Sequence, residues 1–152
     1  MRADADCGGD YDLDSAGRLE IELFGLMAGS QYDQLEVSRD ITLDADGASG
    51  FLDLVFGFHP MMGDIFDIVD NMGSDPIMGR FSNYSNPDPE HIYHLDSFGG
   101  IDLKISYSAG TGNDVRITIV PEPSTRLLLV GGLVIMAARL GRPRRAGRSV
   151  RA

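Results

Sequence analysis

Residues 17–37 read GRLEIELFGLMAGSQYDQLEV, and the fold class turns on their spacing. Leu19, Ile21 and Leu23 alternate with Glu20 and Glu22, the period of two that marks a half-buried strand. Ala28-Gly29-Ser30 reads as a turn, and residues 32–37 as a second strand with Leu35 and Val37 inward. Toward the C-terminus the pattern repeats. Ile41-Thr42-Leu43 is a short third strand, DADGASG (44–50) is turn chemistry, and residues 51–58 form the most apolar strand, closed by His59-Pro60. Met61-Met62-Gly63-Asp64 turns into a strand over 65–69. Further strands are expected around Phe81, at 91–95 and at 101–107; AGTGND (109–114) makes a hairpin loop and 115–120 returns. Short strands with Gly, Asp and Asn turns at even spacing predict an all-β body: a β-solenoid, a sandwich or a barrel. Phe51, Leu54, Phe56, Phe66 and Ile68 are expected among its buried residues. Toward the N-terminus, DADCGGDYDLD (4–14) has no periodicity, and residues 1–16 read as a disordered, solvated acidic lead-in. Asp10, Asp12 and Asp14 have the start of a calcium-loop spacing, but Ser15 stands where the loop needs glycine and Ile21 where it needs glutamate.

Charge is split along the chain. Residues 1–120 carry 6 Lys and Arg against 22 Asp and Glu, a balance of −16; residues 121–152 carry 7 Arg against Glu122, a balance of +6. An acidic body argues against nucleic acid as a partner, since phosphate calls for basic surface. The single cysteine, Cys7, allows no internal disulfide. The start, MRADAD, is acidic and has no apolar core, so it is no signal peptide. Taken with the tail described next, this is the expectation of an N-terminally incomplete product.

That tail, 121–152, has three parts: Pro121-Glu122-Pro123, an apolar run, and a basic end. Two prolines in three residues fix φ and remove two N–H donors, which ends a strand and holds an extended spacer. The run, with Leu127, Leu128, Leu129, Val130, Leu133, Val134, Ile135 and Met136, is expected as a hydrophobic helix over 124–140. Its 17 residues span roughly 25 Å at 1.5 Å each, against a bilayer core of about 30 Å, so Arg126 and Arg139 must snorkel to opposite interfaces. Arg139, Arg142, Arg144 and Arg145, with Arg148 and Arg151 beyond, are the topology signal, since arginines stay cytoplasmic beside anionic headgroups.

The string Val120-Pro121-Glu122-Pro123-Ser124-Thr125, followed by the Leu-rich run and the arginines, resembles the PEP-CTERM sorting signal of exported bacterial proteins. The resemblance implies an exosortase-like membrane enzyme as partner, a bilayer anchor in transit through the inner membrane, and a destination at the cell surface or in an exopolysaccharide matrix. Arg126 departs from that pattern by putting a charge where such tails keep an apolar residue. A second stretch of the chain is similar to the last rungs of autotransporter-like β-helix passengers. The matching residues are Gly29-Ser30-Gln31-Tyr32-Asp33-Gln34-Leu35, Gly57-Phe58 and Gly63-Asp64-Ile65-Phe66-Asp67-Ile68. That resemblance implies the end of a solenoid with a β-rich cap after Gly79, and no catalytic residues in these rungs.

Other chemistry is sparse. His91 and His94 fall on opposite faces of a strand, a poor chelate, and no metal or cofactor is expected. No GxSxG string occurs, and the glycines open no phosphate loop. Glu20 and Glu22 share a strand face that reads as solvated, not as a glycosidase pair. The expectation is a non-enzymatic exported surface or matrix protein. The alternative is the C-terminal piece of a carbohydrate-active β-helix enzyme whose catalytic rungs lie outside this chain.

Overall fold

The structure is a computed structural model that describes residues 6–7 (backbone), 9–44, 48–97 and 100–121. The chain divides into two units, Met1–Val120 and Pro121–Ala152. Only the first is described below. The expected hydrophobic helix and basic end lie outside the described residues. No helix among those described is long and apolar enough to cross a membrane.

The body is all-β. Among the described residues its strands are β1 (Asp6–Cys7), β2 (Tyr11–Asp12), β3 (Arg18–Leu23), β4 (Leu35–Val37), β5 (Ile41–Thr42), β6 (Phe51–Phe56), β7 (Ile65–Asn71), β8 (Tyr93–Leu95), β9 (Ile101–Ala109) and β10 (Asp114–Val120), with a 3-10 turn at Ser82–Tyr84. The first seven strands stack in three parallel columns. β1, β4 and β7 form one, β2 and β5 the second, β3 and β6 the third. In the first column Asp6 lies beside Glu36 and Glu36 beside Asp70, so each lap of the chain returns to its place after 30 and then 34 residues. Equivalent side chains therefore stack: Ile21 on Leu54, Leu23 on Phe56, Leu35 on Val69. A single lap cannot bury its apolar face, and stacking supplies the missing cover.

Each column ends differently after the second or third lap. β10 runs antiparallel along β7, with β9 and β8 outside it, giving the sheet order β1-β4-β7-β10-β9-β8. The second column ends on Met78, whose backbone bonds Ile41 and Leu43 at 2.9 and 2.8 Å. In the third, the Asn83 carboxamide takes the place of a strand. It accepts from Leu52 N–H at 3.1 Å and donates to Leu52 C=O at 2.8 Å.

The structure departs from the sequence reading at several points. Part of the expected acidic lead-in belongs to the fold. Tyr11–Asp12 pairs with Ile41–Thr42, and Leu13 is buried. The strand expected from residue 32 begins at Leu35, because the Asp33 carboxylate accepts from Glu22 N–H and the Gln34 side chain donates to Asp67 C=O, both at 2.9 Å. In β6 the buried residues are Leu52 and Phe56, while Phe51 lies half-exposed beneath the Arg18 guanidinium, 4.5 Å from its ring centroid. Phe66 and Ile68 are fully buried, as their spacing predicts.

Candidate functional site

Of the residues singled out in the tail, only Pro121 is described. It is half-buried and follows β10 directly. Glu122, Pro123, the anchor residues Leu127 to Met136 and the arginines from Arg139 onward lie outside the described residues. Within the body, three polar constellations stand out.

The first is a cleft of about 630 Å³ between the 77–89 segment and β9. Met78 belongs to the second column, and Phe81 is fully buried. The chain turns between them at Gly79, which has φ of +80° and the Asp44 carboxylate so close that a Cβ would meet it at 2.6 Å. That turn places Arg80 over the Tyr107 ring, its guanidinium carbon 5.0 Å from the centroid. Tyr107 is held from the other side. Its hydroxyl accepts from Phe81 N–H at 3.1 Å and donates to Tyr84 C=O at 3.0 Å, and burial pushes its phenol well above the ordinary range. Tyr84 in turn packs edge-on to Tyr93, whose hydroxyl accepts from Asn86 N–H at 2.9 Å. Ser49, Ser85, Ser106, Ser108, Pro87 and Pro89 complete most of the lining.

Burial also pushes the Tyr84 phenol up, to about 12, with Asp53 and Tyr93 adding to the effect. An unfolded tyrosine ionises near ~10. Above that pH the unfolded chain sheds a proton that the folded body keeps, so stability present below pH ~10 is lost as pH climbs toward the folded value. The melting temperature is expected to fall above pH ~10 in the wild type and more gently in Tyr84→Phe. Identical alkaline slopes would contradict this assignment.

The second constellation joins the end of β7 to the β9–β10 hairpin. Buried Asp114 accepts from Asn71 N–H at 3.0 Å. Asn113 donates to Asn71 C=O at 3.2 Å and to Gly73 C=O at 2.8 Å. Gly110, at φ +56°, allows this approach, since a Cβ there would meet the Asp114 carboxylate at 1.7 Å. Beside it, Asp70 titrates above the usual carboxylate range, chiefly through burial and then through the charges of Asp114 and Asp67. Asn71, Asn113 and Asp114 all direct side-chain atoms at backbone groups, which is the work of a structural lock.

The third is the outer edge of the sheet. His94 Nδ1 lies 2.6 Å from buried Asp102, its cross-strand neighbour. His91 packs edge-on to Tyr93 at 4.5 Å. The two histidines thus have different neighbours, and no group of three or more His, Cys, Asp or Glu among the described residues is arranged to hold a metal ion.

Arg80 was not singled out by sequence spacing. The available signal was scarcity: with six Lys and Arg in residues 1–120, each cation's partner matters. No family model matches the chain, and neither a curated protein nor a solved structure matches it.

Proposed function

We propose that the chain is a non-enzymatic exported surface or matrix protein whose tail is a sorting and anchoring signal, processed by an exosortase-like membrane enzyme. The observation that carries this reading is the order of Pro121-Glu122-Pro123, apolar run and arginines. It is supported by the position of the unit boundary, which falls between Val120 and Pro121, where the motif begins. In this reading the prolines keep the motif extended and out of β10, the apolar run holds it at the depth of the headgroups, and the arginines fix orientation. The stacked parallel columns support a finer reading of the body as the terminal laps of a β-solenoid, with the β8–β9–β10 sheet as its cap. β10 occupies the β7 edge, which would otherwise be open to pairing.

The test is topology. With an export signal fused upstream, the charge split predicts the body outside and the arginines in the cytoplasm. Protease added to intact spheroplasts should digest residues 1–120. A body that stays protected overturns the reading.

A further inference from the structure

The cleft beside Arg80 carries an inference that does not depend on how the tail is processed. Five Lys and Arg side chains fall among the described residues. Four pair with carboxylates: Arg18 with Asp53, Arg39 with Asp10 at 3.5 Å, Lys104 with Glu90, and Arg116 with Asp67 through a two-bond fork of 2.5 and 2.9 Å. Arg80 alone among them has no carboxylate partner. Its face rests on Tyr107, and one N–H reaches Asn86 C=O at 3.4 Å. A guanidinium carries five donors in a planar fork matched to an oxyanion, and most of those on Arg80 remain unspent.

The surroundings narrow the ligand. Among the described residues no Asp or Glu lines the cleft itself, although the Asp44 carboxylate lies against Gly79 and residues 1–120 carry a balance of −16. Arg80 is the cation in this lining, and no described carboxylate stands in the lining to cancel it. Ser49, Ser85, Ser106 and Ser108 line it together with Arg80, Pro87 and Pro89, and the Ser106 hydroxyl accepts from Ser108 N–H at 3.3 Å. Hydroxyls that donate and accept suit a polyhydroxylated ring, and the volume lies within the roughly 300–1,000 Å³ usual for small-molecule sites. A single guanidinium neutralises a single negative charge. A dianion would keep one charge unpaired inside an acidic body, where repulsion grows with charge. The site is also built in advance. Gly79 sets the turn, and Tyr107 is pinned by Phe81 and Tyr84, so little ordering remains to be done on binding.

We propose that this cleft binds an acidic sugar of the hexuronate type, its carboxylate on the Arg80 fork and its hydroxyls on Ser49, Ser85, Ser106 and Ser108. The test is calorimetric titration of the full chain in nonionic detergent with galacturonate, which carries one carboxylate, the neutral sugar galactose and inorganic phosphate. Galacturonate should bind saturably, with a Kd on the order of 1 mM or tighter, and more tightly than either comparison ligand. Losing a charge-assisted fork should weaken binding roughly tenfold to a hundredfold in Arg80→Gln, and Arg80→Lys, which keeps the charge without the fork, should fall between. Thermal unfolding of Arg80→Lys checks that the fold is intact while affinity drops. No saturable binding, equal binding of galactose, tighter binding of phosphate, or an unchanged Kd in both variants would each overturn the proposal.

Discussion

Phe66→Ala is expected to remove about 3–5 kcal/mol of stability, the usual loss for emptying a fully buried aromatic site. Phe66 has no exposed surface, and three rings meet it edge-on: Tyr32 at 5.4 Å, Phe58 at 6.2 Å and Phe56 at 6.4 Å. Those rings come from successive laps and from the turn between them, so one side chain joins elements far apart in sequence. Its strand, β7, is also where the parallel column meets the antiparallel sheet. Domains of this size are stable by only about 5–15 kcal/mol in all, so the variant should melt early or fail to fold at 37 °C. Phe51→Ala is the contrast. That ring lies half-exposed under Arg18, and its loss should cost about 1 kcal/mol or less. A denaturation midpoint that moves no further for Phe66→Ala than for Phe51→Ala would show that the core is not centred where the contacts place it.

The second large effect is on maturation. Pro121→Ala with Glu122→Ala should leave nearly all of the protein uncleaved in the inner membrane of a host that has an exosortase-like enzyme. Two prolines hold φ near about −65° and supply no N–H, so neither β10 nor a following helix can absorb the peptide. In the sorting proposal Glu122 would put a charge between them at the level of the headgroups, where it would stay solvated. The double variant removes that charge and one of the constraints together. The body should fold as before, because Pro121 follows the last ladder pair, Val120 with Asp102. The readout is protein size and membrane fraction. Normal maturation would reduce the motif to a spacer and remove the support for the sorting proposal.

Most of the longer strands were legible in the sequence, because period-two alternation and Gly, Asp and Asn turns are local signals. The strand expected around Phe81 is instead a loop entering the 3-10 turn at Ser82–Tyr84, and β2 was hidden in the acidic stretch. Leu19, Ile21 and Leu23 announced β3, and residues 109–114 announced the last hairpin. Which strands pair was not legible from the residues. A lap of 30 to 34 residues brings together segments that share no local signal, and the same strands are compatible with a sandwich. The inward face of β6 was ambiguous for another reason. Phe51, Leu52, Leu54, Val55 and Phe56 are apolar on both faces, and Asp53 is the one polar residue to set the phase. Asn83 and Arg80 were hidden because their roles depend on distant partners: one replaces a missing strand at Leu52, the other stacks on a tyrosine 27 positions later.

The strand that leads into Pro121 is not an outer one. β10 runs between β7 and β9, and the tail leaves from its end. A pull on that end directed along the strand would find the hydrogen bonds to both neighbours lying across its line. Both ladders then resist in shear, every bond sharing the tension at once. A tether on three-residue β8 would instead peel its bonds apart in succession. Were the body anchored by this end, as the sorting proposal has it, drag would be met along the seam best placed to resist it.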